Sequence, residues 1–250
     1  HSIRRRQRQM CIRDSYSIAS ASSNITQRPL NLSGSRAYDS TRTASGSDLS
    51  FTNIVSGETL GLTGSGVLDS PAAGSRTIVN TNTLAISDGS GIATNYTLTN
   101  GTLTMTIVPR STTVSGTKTY DGTTNVASSN LTSFSNLAGS DTLSLSGTGT
   151  ISSADVGTGK TVNTSGLTID NSSGVGSNYT LSAATINVTE RVIALSGVRA
   201  FDGTNNASST DLSISNLVSG ENLTLYGSGT VPNATVEMNK AITLGSLSIS

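Results

Sequence analysis

The residues best placed to do chemistry are three aspartates that each follow an aromatic side chain: Tyr38-Asp39-Ser40, Tyr120-Asp121-Gly122 and Phe201-Asp202-Gly203. A carboxylate at a turn can help to hold Ca²⁺, but a hard cation wants about six to eight oxygen ligands. No acidic cluster near these turns supplies them. The simpler reading is a tight turn in which Asp bonds the backbone ahead and Gly accepts φ > 0. Tyr38, Tyr120 or Phe201 would then be an aromatic plug beneath it. Phe serves in the third copy, so the phenol hydroxyl is not required for whatever all three share. Basic residues recur just upstream, at Arg36, Lys118 and Arg199; they either pair with the aspartates or stay solvated, solvation being the default for exposed charges.

Other candidates fall to their context. Residues 154–161, Ala-Asp-Val-Gly-Thr-Gly-Lys-Thr, imitate a phosphate loop, but that mechanism needs a helix N-terminus after the loop. Val162-Asn163-Thr164 reads as strand instead, so the segment is expected to be a turn. Nucleophilic catalysis lacks a base, because His1 and Cys11 are the only His and Cys and both lie in an atypical leader. The expectation is no catalytic, cofactor-binding or metal residue, and no enzyme. Sequons such as Asn95, Asn130, Asn163, Asn178, Asn187, Asn222 and Asn233 arise readily in a chain rich in Asn and Thr, and most are expected to stay unmodified.

What positions the aspartates is a repeat. Tyr38 and Tyr120 are 82 residues apart, Tyr120 and Phe201 81 apart, and so regular a period signals a tandem array. Leu60-Gly61-Leu62-Thr63-Gly64-Ser65-Gly66 recurs at 143–149 and 223–229, and Asn95-Tyr96-Thr97-Leu98 recurs at 178–181. Modules are placed at 29–110, 111–191 and 192–250, the third cut before its own Asn-Tyr-Thr-Leu. Residues 1–28 form a leader. Its first fifteen, with five of the 15 Lys+Arg, resemble translated sequencing-adapter read-through and are set aside as artefactual.

Without those fifteen residues the balance is ten basic against fourteen acidic side chains, which disfavours nucleic acid as a partner. With 4% aromatic residues and no Trp, the cores must be built from Leu, Val, Ile and Ala. Leu103, Met105 and Ile107 alternate with Thr, as do Ile186 and Val188 with Asn187 and Thr189. This period of two, broken by Gly, Asn, Asp and Ser, reads as half-buried antiparallel strands. The fold class is therefore all-β, a tandem array of small antiparallel modules, sandwich-like or mostly-β and grasp-like. Val108-Pro109-Arg110 and Thr189-Glu190-Arg191 leave no Gly/Ser linker between modules, which implies a rod whose main partners are its own neighbouring modules.

The Tyr-Asp-Gly triplet after Ser115-Gly116-Thr117-Lys118-Thr119, the Leu-x-Leu-x-Gly-x-Gly strand and the later Asn-Tyr-Thr-Leu together resemble the YDG repeat domain. That family occurs in very large secreted bacterial proteins similar to filamentous haemagglutinin. Ser40 in place of Gly and Phe201 in place of Tyr depart from its pattern. The resemblance implies an extracellular, cell-surface location, export by two-partner secretion through an outer-membrane partner, and a role as the stalk of an adhesin. The alternative is that the modules bind glycan or host matrix protein directly, or self-associate in a biofilm matrix; sugar binding usually shows as exposed aromatics, and no Trp and few Tyr argue against it.

Overall fold

The computed structural model describes residues 20–250; the basic segment 1–15 lies outside the described residues. Strands make up 46% of the described residues, and no α-helix occurs among them. The only helical turns are three-residue 3-10 segments such as Ser128–Asn130 and Gly176–Asn178. No helix among them is long and apolar enough to cross a membrane. Two compact units result, one ending at Val108 and one running from Pro109 to Ser250.

The second module is the most complete view of the repeat within the second unit. Its opening strand Arg110–Thr119 and closing strand Tyr179–Thr189 lie side by side in a four-stranded sheet, flanked by Leu131–Ser135 and Gly157–Thr161. A second sheet holds Asn125–Ala127, Leu143–Thr150 and Leu167–Asn171. Apolar residues at alternate positions of both sheets meet in one cluster: Val114, Val126, Leu131, Ile151, Val162, Ala184, Ile186 and Val188. That is the sandwich arrangement, two sheets sharing one core; a grasp fold would need a helix across the sheet.

The all-β expectation is met, but one ladder departs from the antiparallel pattern. The opening strand pairs parallel with the closing strand from Arg110↔Tyr179 to Thr119↔Thr189. In the first module Leu32–Ala37 likewise pairs parallel with Thr104–Val108, and Arg28–Pro29 with Tyr96–Thr97. A parallel pair needs a long crossover, and here nearly the whole module is that crossover. Alternation reveals which face of a strand is buried and is silent about the direction of its neighbour. The Arg28–Pro29 pairing also carries the first module slightly upstream of position 29.

The glycine of the Ser-Gly step is dictated by this packing. A Cβ at Gly116 would lie 1.7 Å from the Asn130 carbonyl oxygen, and one at Gly34 or Gly197 would lie 1.9 Å from that of Asp48 or Asp211. The opening strand passes the last residue of a 3-10 turn there at backbone distance, with no room for any side chain.

In residues 192–250 the same motifs appear on a more open frame. Leu195–Gly197 pairs only with Leu212–Ile214, Asn206–Ser208 with Ser228–Thr230, and Leu225–Tyr226 with Ser248–Ile249.

Candidate functional site

The three aspartates form the same local device. Asp121 Oδ1 accepts hydrogen bonds from the Thr123 amide and hydroxyl, both at 2.9 Å. Asp202 does so from Thr204 at the same distances, and Asp39 from Thr41 at 2.8 and 2.9 Å. This is the Asp turn that bonds its own backbone two residues on. The residue after Asp is left-handed in every copy: φ is 74° at Gly122, 78° at Gly203 and 65° at Ser40. Glycine adopts that conformation freely, whereas Ser40 holds it at a cost of about 1–2 kcal/mol.

Each turn is braced by the basic residue three positions before its aspartate. Arg36 lies 2.5 Å from Asp39, Lys118 lies 2.8 Å from Asp121, and Arg199 pairs with Asp202. These cations are not the solvated surface charges that were the default expectation. The Lys118 side chain is only 4% exposed, and its ammonium also donates to the carbonyls of Thr123 at 3.0 Å and Asn125 at 2.7 Å. Arg36 donates to the carbonyls of Thr41 and Thr43. Partial burial works to raise the Asp39 and Asp121 carboxyls, but the threonine donors and the neighbouring cation outweigh it and hold both below the usual value. The Thr204 amide, followed by Arg199 and the Thr204 hydroxyl, lowers Asp202 to about 2.

The aromatic plug holds in part. Tyr38 is buried and Tyr120 half-buried, but Phe201 is 68% exposed. In the third module the paired opening strand is only Leu195–Gly197, so Phe201 stands beyond it and in water. The Tyr38 and Tyr120 amides donate to Val108 and Thr189 carbonyls at 2.9 Å, the last bonds of the parallel ladder.

The Tyr120 hydroxyl leaves its own module and donates to Glu221 of the third. Beside it, a Cβ on Gly122 would lie 2.7 Å from Val218 Cγ1. The second module's Tyr-Asp-Gly turn thus sits against the Val218–Glu221 turn of the third. That acidic turn is itself repeated, with amide-to-carbonyl bonds Glu58→Val55, Asp141→Ala138 and Glu221→Val218. Within the first two modules the tyrosine of Asn-Tyr-Thr-Leu reaches it: Tyr96 donates to Glu58, and Tyr179 donates to Asp141 at 2.7 Å. The hydrogen bond to a carboxylate raises Tyr96 and Tyr120 above the ordinary phenol value.

Two repeated features escaped the sequence reading. One is this acidic turn. The other is an Arg–Asn clamp in which Arg28, Arg110 and Arg191 donate to the carbonyls of Asn53, Asn136 and Asn216 at 2.8–2.9 Å. The same asparagine amides bond the carbonyls of Pro29, Ser111 and Val192. Both recur at the repeat spacing, and aligning the modules outside the Tyr-Asp-Gly stretch would have exposed them.

The segment resembling a phosphate loop is no such thing, and its second half is not a turn either. Gly157–Thr161 is a strand that pairs with the closing strand across a register shift, and Lys160 donates to the Ser153 and Asp155 carbonyls. Among the sequons, Asn178 is buried, and Asn163 and Asn187 accept backbone amide bonds from Ser165 and Gly159. Among the described residues no three His, Cys, Asp or Glu side chains come together as a metal site would need.

Comparison with known proteins agrees with the repeat geometry: the YDG domain model matches residues 24–105, 102–186 and 189–250. Neither curated proteins nor solved structures gave a match.

Proposed function

The chain belongs to the YDG domain family, and we propose that it is a segment of the repetitive stalk of a large secreted, surface-displayed bacterial adhesin. The observation that supports this most is where the signature residues go. Asp121 and Lys118 are consumed in bracing a turn, and Tyr120 and Gly122 in seating that turn on the next module. Side chains spent on folding one module and joining it to its neighbour suit a protein whose task is to repeat. The stalk would hold an adhesive region away from the cell, exported by two-partner secretion, with no catalysis of its own.

The test uses the 250-residue chain. Small-angle scattering should give the skewed distance distribution of an elongated particle. Glycan and matrix-protein panels should show no saturable binding. A compact scattering profile would overturn the stalk reading, and saturable binding to one glycan or matrix protein would replace it with direct adhesion by the modules.

A further inference from the structure

Four Asp-Gly or Asn-Gly steps occur in the sequence: Asp88-Gly89, Asn100-Gly101, Asp121-Gly122 and Asp202-Gly203. Glycine shields its own amide nitrogen least, so at such a step that nitrogen can close a five-membered ring on the preceding side chain. Three of the four steps are disarmed. Asp121 and Asp202 give Oδ1 to the Thr two residues on, and Asp88 gives Oδ1 to the Ala93 amide at 2.7 Å. An ionised carboxylate is also a poor electrophile, because its charge repels the attacking electron pair.

Asn100 differs on each count. Its side chain is a neutral amide that can release ammonia. It is exposed, and among the described residues its carboxamide has no hydrogen-bond partner. The Gly101 amide reaches only the Leu98 carbonyl, at 3.3 Å, beyond the usual N–H···O range of about 2.7–3.2 Å. Asn100 is also left-handed, with φ of 62°. Asn82, Asn136 and Asn239 share that conformation but precede Thr, Leu and Lys.

The step lies where the fold tolerates little change. In the first module Leu30 and Asn31 stand against the five residues 98–102, between the pairs Pro29↔Thr97 and Leu32↔Leu103. That loop is pinned at both ends. Leu30 donates to the Thr97 carbonyl at 2.8 Å, Leu32 to that of Thr102 at 2.9 Å, and the Thr102 amide to Asn31 Oδ1 at 2.8 Å. A Cβ on Gly101 would stand 1.8 Å from the carbonyl oxygen of Leu30, a buried residue. A longer main chain here has to break some of these bonds.

We propose that Asn100 is a site of spontaneous deamidation, a covalent change that accumulates with age and loosens the parallel ladder of the first module. The Gly101 nitrogen gives its proton to water and bonds to Asn100 Cγ; the Cγ–Nδ2 bond breaks and ammonia leaves. Water then opens the succinimide at either carbonyl. One opening yields aspartate. The other yields isoaspartate, whose main chain runs through Cγ and is one atom longer. One water is consumed and one ammonia released, with no oxidation or reduction. The proposal is independent of the stalk reading and adds a chemical lifetime to the first module.

The experiment ages the full chain in warm, mildly alkaline buffer and follows it by peptide mapping. A gain of one mass unit is expected at Asn100 at least tenfold faster than at Asn82, Asn136 or Asn239. An isoaspartyl methyltransferase should label the lengthened product. Aged chain should lose hydrogen-exchange protection at 28–32 and 96–103. Fresh Asn100→Asp, which adds the charge without the extra atom, should keep that protection. Asn100→Gly holds the left-handed turn with no group to react, and should show neither the mass gain nor the loss on ageing. The proposal is overturned if Asn100 reacts no faster than the other three asparagines, if it reacts only in urea, or if the aged chain keeps its protection.

Discussion

The second and third modules carry the same motifs and differ in how far the strands around them are paired. In both, Asp accepts from the amide and hydroxyl of the Thr two residues on, and the cation three residues before Asp closes the turn. Yet the aromatic residue is half-buried in one and mostly exposed in the other. The turn is thus a local object, made by residues within five positions of each other. The core beneath it is not local, and it depends on a strand that returns some 70 residues later to lie against the first.

That contrast is open to direct attack. The largest effect should come from Ile186→Ala in the closing strand, which removes most of a fully buried side chain from the second module and should cost about 2–5 kcal/mol. The matching change on the open side, Leu195→Ala, should cost far less, because Leu195 is still partly in water. Hydrogen exchange read separately at 143–150 and 225–230 distinguishes the two modules, and equal losses would mean that the third core is as complete as the second.

A smaller effect is expected from Lys118→Met. It keeps the aliphatic stem but leaves the Asp121 carboxylate and the Thr123 and Asn125 carbonyls without their shared donor, a loss of about 1–3 kcal/mol in denaturant melts. Arg199→Met in the more exposed third turn should cost less, and the reverse order would show that burial of the cation is irrelevant.

The smallest effect concerns pH. Asp202 is lowered to about 2, below its value of about 3.9 in an unfolded chain. The folded state therefore binds this proton less readily. The stabilisation is fully present above about pH 4 and is lost as pH falls through about 2. Proton titration of the Asp202 side chain by NMR should show this depressed midpoint; an ordinary midpoint would mean that Arg199 and Thr204 do not hold it.

Much of this was legible in the sequence. The spacing of Tyr38, Tyr120 and Phe201 revealed the array, the alternation through Leu103, Met105 and Ile107 revealed β structure, and Asp-Gly revealed the turn with its left-handed residue. These follow from interactions between near neighbours, where residue type alone decides what the backbone can do. The role of Lys118 was less legible, since a lysine three residues before an aspartate looks the same whether it is buried or solvated. Phe201 shows that no hydroxyl is needed for what the three copies share, whereas the Tyr120 hydroxyl has a partner of its own 101 residues away, in the next module.

Sequence by itself determined the period, the strands and the turns, because propensity, alternation and Asp–backbone bonding act over a few residues. Tertiary structure alone decided the parallel ladder, the Arg–Asn clamp and the bond from Tyr120 to Glu221. Each of those joins groups 20 to 100 residues apart, and which distant strand fills a given gap is settled by packing, on which a strand's own alternation is silent.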